Sequence, residues 1–183
     1  MTGLDNFDVR YWASQYDYED LPDGRPARDR GHFTLLELYR IARWKSPRRA
    51  ELLNPTSCEP ALSPFAEKLT QFVLELGTHL DESAYEVALL DALPGVGIPT
   101  ASAILTVADP EQYGIIDVRT WKGLHLLDPQ GPFSMRVPVF TPVHYRSYLR
   151  MLRQLSQRHA CHCRTVDCAL YAWNRRRSSL TGG

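Results

Sequence analysis

The chain has 183 residues, 44% of them hydrophobic, and its 21 basic and 21 acidic side chains leave a formal net charge of zero. That size suits one domain or two small lobes sharing a core, and neutrality argues against a surface uniformly built to seek nucleic acid. No apolar run reaches the length of a membrane span, and MTGLDNFDVR lacks a charged-then-apolar leader pattern, so the expectation is a soluble, cytoplasmic protein with no membrane partner.

In chain order, residues 1–30, with EDLPDGRPARDRG, read as an extended N-terminal arm that Tyr11, Trp12, Tyr16 and Tyr18 dock onto the body. FTLLELYRIARW (33–44) spaces Leu35, Leu36, Leu38, Tyr39 and Ile41 for one buried helix face, with Thr34 as its cap. Ser63-Pro64 opens a helix that Gly77 stops. Asp81 begins DESAYEVALLDAL with acidic residues in the first turn, where they suit the helix dipole. TASAILTVA follows, then a loop, then a helix from Asp117 to about Leu126. Residues 128–141 read as an irregular connection. Thr141-Pro142 starts a long helix carrying Tyr145, Tyr148, Leu149, Met151, Leu152 and Leu155, and Thr165 caps a last one, VDCALYAWN. No alternating strand pattern is present, so the expected class is all-α, with a helical domain over 31–173 and a disordered tail over 174–183.

Charge is unevenly placed: −5 over residues 1–24, +6 over 25–50, −8 over 51–140 and +7 over 141–183. The two basic segments either converge into one positive face or solvate separate helices. Cys161, Cys163 and Cys168 lie near His159 and His162, but one residue between the first two suits a zinc knuckle poorly. The four cysteines, Cys58 included, read as reduced thiols, and neither a metal nor a cofactor is expected.

The most informative stretch is LPGVG, residues 93–97. Between two short helices, Pro94-Gly95-Val96-Gly97 makes a tight hairpin, because glycine permits positive φ and close approach. Amides of the turn and of the following helix start, with Thr100, then form an anion site suited to one phosphate. Such a contact reads backbone, not base sequence. Asp117 lies twenty residues beyond Gly97 and suits either a helix N-cap or a catalytic carboxylate, two roles that are compatible.

LPGVGIPTASAIL followed by YGIIDVRTWKGL resembles the helix-hairpin-helix (HhH-GPD) superfamily of DNA glycosylases, which includes endonuclease III and the adenine and alkyl-base glycosylases. The resemblance is clearest over residues 84–127, with the helix-hairpin-helix at about 83–108. It implies a two-lobed helical fold with duplex DNA across the cleft, a nucleotide flipped into a pocket, and Asp117 as the carboxylate that stabilises positive charge on the sugar or activates water.

Two departures from that pattern shape the expectation. Members that also cut the strand carry a lysine two residues past the second glycine, whose amine forms a Schiff base. Here that position is Pro99, and Lys45 and Lys122 do not match the motif, so a strand-cutting lyase is disfavoured and a monofunctional hydrolase expected. The iron–sulfur pattern Cys-x6-Cys-x2-Cys-x5-Cys of endonuclease III-like members is not reproduced either, so no cluster is expected.

ARWKSPRR (42–49) sets Trp44 among Lys45, Arg48 and Arg49. The three cations are candidate phosphate contacts, and Trp44 either stacks on a base or packs inward, the reading favoured. Arg119 and Trp121 either line the pocket or face the core. Asp167 is read as serving the last helix's first turn. The sequence is also similar to a bacterial branch of helix-hairpin-helix proteins of unassigned activity. The leading expectation is a base-excision DNA glycosylase acting on double-stranded DNA; the alternative is a non-catalytic DNA-binding or partner-binding module that keeps the hairpin.

Overall fold

The computed structural model of the chain describes residues 3–77 and 84–181. They form ten helices: α1 (Val9–Ser14), α2 (Arg25–Arg30), α3 (Leu35–Lys45), α4 (Pro47–Ala50), α5 (Leu62–Gly77), α6 (Ala84–Leu90), α7 (Ile98–Ala108), α8 (Val118–Leu127), α9 (Pro142–His159) and α10 (Cys163–Thr181). Two 3-10 turns, Gly3–Asn6 and Glu51–Leu53, complete the regular structure, and no strand occurs among the described residues. The all-α expectation holds. The Asp81 start expected for the helix before the hairpin lies outside the described residues, and the described part of that helix is α6.

Local chemistry explains the best-defined boundaries. Thr34 opens α3 with a reciprocal capping box: its hydroxyl accepts from the Glu37 amide while Glu37 Oε2 accepts from the Thr34 amide. Thr141 does the same for α9 with His144, and Pro142 occupies the first helical position, where its missing N–H costs nothing.

Helix α7 is the centre of the packing. Every residue of it but Pro99 is buried, which its run of Ala, Ile, Leu and Val without a polar face dictates. Its interior polar groups turn back on their own helix: Ser102 Oγ donates to Pro99 O at 2.8 Å and Thr106 Oγ1 to Ser102 O at 2.7 Å. Helix α7 meets α2, α3, α6 and α9; α6 also packs on α9, and α9 packs with α10, itself against α1 and α8.

The N-terminal segment differs from an extended arm. It is a strap of short helices that docks at both ends. A Cβ on Gly3 would fall 2.9 Å from Leu127 O of α8, and one on Gly24 would fall 1.9 Å from Val107 O of α7, so both contacts depend on the absence of a side chain. Helix α1 lies on α10, with the Phe7 and Trp173 rings edge to face at 5.9 Å. Arg28 Nη1 donates to Ala108 O at 3.0 Å, meeting the C-terminal end of α7 where a cation is favoured. The expected disordered tail is a second difference: α10 continues through it to Thr181, because arginine and serine are tolerated on the outer face of an established helix.

Candidate functional site

The hairpin is built as its glycines require. Gly95 has φ +76°, a left-handed conformation that L side chains rarely adopt, and a Cβ there would lie 2.3 Å from Arg49 O. Gly97 is the N-cap of α7 and supplies no side-chain acceptor to its first amides. A Cβ on Gly97 would come within 3.1 Å of Arg49 Nη1, so the guanidinium lies over the start of α7.

The next element mounts Asp117. Residues 114–117 run extended through the interior, and buried side chains satisfy their backbone. Tyr145 donates to Gly114 O at 3.3 Å; Asp167 Oδ2 accepts from the Ile115 amide at 3.1 Å; Tyr148 donates to Ile115 O at 3.1 Å; Ser102 Oγ accepts from the Ile116 amide at 3.2 Å. Asp117 then caps α8, its Oδ1 accepting from the amides of Arg119 at 2.8 Å and Thr120 at 2.9 Å, while Thr120 Oγ1 accepts from the Asp117 amide at 3.1 Å. One carboxylate oxygen is fixed by the helix start. The other, Oδ2, is 3.5 Å from Lys45 Nζ at the end of α3.

These two groups share a pocket of about 100 Å³ with Tyr16 and Tyr18 of the strap, Trp44, Ile115, and Arg164, Asp167 and Tyr171 of α10. Its walls are aromatic and held together: the Tyr18 ring stands edge-on to Trp44 at 5.5 Å, and Tyr16 to Tyr171 at 5.5 Å. Trp44 Nε1 donates to Glu19 O of the strap at 3.3 Å. Arg164 lies 5.0 Å from the Tyr16 ring centroid and 6.0 Å from that of Trp44, and also pairs with Asp167.

Asp167 is only 1% exposed. Burial raises its pKa, with the nearby Asp117 charge adding to the rise and Arg164 and the Ile115 amide opposing it. Burial likewise lifts the Tyr16 hydroxyl well above its ordinary value and the Cys168 thiol to about 12, which makes that cysteine a poor nucleophile near neutral pH.

Several of the sequence-derived candidates meet here. Asp117, Lys45 and Trp44 line the pocket, and Arg49 lies over Gly97 beside Gly95. Ser46, next to Lys45, is reached by Thr100 Oγ1 at 3.4 Å, which seats the basic α3–α4 corner on the hairpin. Other candidates are placed elsewhere. Thr100 is buried, as is the Val96 side chain, and the Val96 amide donates to Leu93 O at 3.1 Å within the turn; neither presents itself to an outside phosphate. Pro94 and Arg48 are exposed near the hairpin. Trp121 is a core residue, 2% exposed and packed against Phe133, Phe140 and His144. Arg119 lies over the Tyr171 ring, 5.6 Å from its centroid, and is not among the residues lining the pocket.

The sequence reading missed Arg164, Tyr16, Tyr18 and Tyr171 as pocket residues and gave Asp167 only a helix-end role. The aromatic density of the strap carries a hint of this, but the sequence gives those rings no destination. Cys163 is buried at the start of α10, the other three cysteines are half-buried, and all four are unpaired. No three His, Cys, Asp or Glu side chains among the described residues converge as a metal-binding group, and no helix among them is long and apolar enough to cross a membrane. Comparison with family models, with curated proteins and with solved structures finds no match.

Proposed function

We propose that the pocket takes a nucleotide flipped out of duplex DNA and hydrolyses its N-glycosidic bond, with Asp117 as the catalytic carboxylate, in a helix-hairpin-helix DNA glycosylase-like fold whose cleft lies between the α2–α7 and the α8–α10 sides. The observation that carries this reading is the fixed carboxylate in an aromatic pocket beside a glycine hairpin. Asp117 Oδ1 is held by two amides, so the negative charge stays in place, while Oδ2 pairs with Lys45 Nζ in the lining of the pocket. As the base leaves, positive charge builds on the sugar, and a preorganised carboxylate stabilises it without reorganising. The same oxygen is placed to take a proton from attacking water. Trp44, Tyr16 and Tyr171 offer ring faces and edges to a planar heterocycle. The hairpin and Arg49 grip the backbone phosphate, which positions the duplex without reading sequence.

The experiment is base release. Wild-type protein and Asp117→Asn are incubated with duplexes carrying uracil, alkylated purines, oxidised guanine or mismatches, then treated with hot alkali to reveal abasic sites. Asparagine caps a helix as well as aspartate does, so the variant keeps the mount and loses the charge. Release by the wild type alone is the expected result.

Two observations favour a second reading, a binding module without chemistry. Lys45 neutralises Asp117, and Tyr16 and Tyr18 of the chain's own strap occupy the pocket wall. Salt-sensitive duplex binding with no release from any substrate identifies that case.

A further inference from the structure

We propose that residues 15–20 of the strap are a flap that covers the pocket and lifts to admit its ligand, hinged on α1 at one end and on Leu21–Gly24 at the other. Gating applies to whatever the pocket takes, so it stands apart from base release. Size is the first observation. With the strap in place the pocket holds about 100 Å³, whereas clefts that enclose a small-molecule ligand hold roughly 300–1,000 Å³. Tyr16 and Tyr18 form the strap's part of the lining, and lifting them adds the space of two rings. The second observation is how the segment is held. Residues 17–20 are exposed, and among the described residues no backbone-to-backbone hydrogen bond involves residues 17–23. Its two ends are anchored: α1 packs on α10, Leu21 packs against the core, and Gly24 lies on Val107 O of α7.

Between the anchors, a few side-chain latches hold the flap down. Arg164 Nη2 donates to the Tyr16 hydroxyl at 2.8 Å, Trp44 Nε1 donates to Glu19 O at 3.3 Å, and Arg175 pairs with Asp17 on the surface. The Tyr16 ring stands edge-on to Tyr171 and the Tyr18 ring edge-on to Trp44. Each of these is a single hydrogen bond, ring contact or exposed ion pair, and each contributes modestly. Lifting also returns water to Arg164 and Asp167, which offsets part of what the broken contacts held. Local opening of a segment so held leaves the helical core intact. A reporter lies beneath it. Cys168 is one turn of α10 from both Arg164 and Tyr171, so the helix presents it on the face that lines the pocket. Burial pushes its thiol up to about 12, with Arg164 opposing and the charges of Asp167 and Asp20 adding to the rise. Alkylation needs the thiolate, so Cys168 becomes reactive when the flap is off it.

The test is thiol alkylation of the full chain. Protein is held with N-ethylmaleimide at mildly alkaline pH, without denaturant and across low urea concentrations, and reaction at each cysteine is followed over time by mass spectrometry of its peptide. Cys163, 1% exposed in the core, reports unfolding of the whole protein. Cys58, in a surface cleft lined by none of residues 15–24, reports an accessible thiol. The expected result is that Cys168 reacts more slowly than Cys58 and faster than Cys163, at a rate that low urea leaves unchanged, since a small opening exposes little surface. Tyr16→Phe keeps the ring and removes the acceptor of Arg164; it is expected to speed Cys168 roughly tenfold while Cys163 keeps its wild-type rate. Asp17→Asn, which breaks an exposed ion pair, is expected to speed Cys168 roughly twofold. Three results overturn the proposal. Cys168 reacting together with Cys163, both rising with urea, means that only whole-protein unfolding uncovers it. Cys168 reacting as fast as Cys58 means that nothing covers it. A Tyr16→Phe protein of unchanged urea midpoint in which Cys168 reacts no faster means that the Arg164 contact does not hold a flap. The urea dependence is read on the wild type and decides the matter should a variant fold poorly.

Discussion

Asp167 Oδ2 accepts a hydrogen bond from the Ile115 amide at 3.1 Å, two residues ahead of Asp117 and 52 residues earlier in the chain than Asp167 itself. The Tyr148 hydroxyl, whose one proton is shared between Ile115 O and this carboxylate, lies 3.0 Å from Oδ1, and Arg164 pairs with Asp167 as well. One buried side chain therefore ties the segment that carries Asp117 to α9, α10 and the cation of the pocket.

Removing it leaves Arg164 enclosed without its counter-ion and the Ile115 amide without an acceptor. Asp167→Ala is expected to destabilise the protein by roughly 3–5 kcal/mol, read as a lowered urea midpoint. A midpoint within error of the wild type would mean that the network contributes little to holding the mount.

Gly95 combines a left-handed backbone with a carbonyl oxygen, that of Arg49, 2.3 Å from where a Cβ would sit. Gly95→Ala meets both penalties, and a loss of about 1–3 kcal/mol is expected. Thermal unfolding measures it, and a Gly31→Ala variant, whose site has a positive φ of 81° but open space where the Cβ would sit, separates backbone strain from crowding.

Arg49 is exposed and lies over the start of α7. If that corner holds a phosphate, Arg49→Gln weakens duplex binding alike for all sequences and reduces the slope of log affinity against log salt by about one. An unchanged slope would move the phosphate contact away from the hairpin.

Alkaline stability follows from four buried hydroxyls. Burial raises the pKa of Tyr16, Tyr113, Tyr145 and Tyr148. In the unfolded chain a tyrosine ionises at about 10. Above that pH the unfolded state gives up protons that the folded state retains, so stability is complete below about pH 10 and declines as the pH rises further. Phenolate absorbance of these four should appear together with loss of helical dichroism. Ionisation well before unfolding would contradict their enclosure.

How much of this was legible in the sequence depends on the range of the interaction. The caps of α3 and α9 were readable because both partners lie within three residues of each other. The hairpin and Asp117 were readable for the same reason: glycine and a capping carboxylate answer to local backbone. The pocket was not. Tyr16 bonds to Arg164 across 148 residues of chain and Lys45 meets Asp117 across the α3–α8 gap, and no local pattern encodes such pairings. Thr165 was expected to cap the last helix, but α10 already begins at Cys163, where the amides of Cys163 and Arg164 bond to Glu111 O and Pro110 O. A loop outside the helix supplies those acceptors, and local propensity could not foresee it. Trp121 was ambiguous because an aromatic one turn into a helix suits either face; its neighbours Phe133 and Phe140 come from the irregular connection and draw it inward.

The strap has a consequence for the order of events during synthesis. Its helix α1 is made well before α10, yet it packs on α10, and Tyr16 waits for the Arg164 Nη2 that donates to it at 2.8 Å. Contacts of such sequence separation form late, after the loops they close have been ordered. A nascent chain therefore carries the aromatic cluster of the strap uncovered until α10 has left the ribosome, and the pocket closes only then.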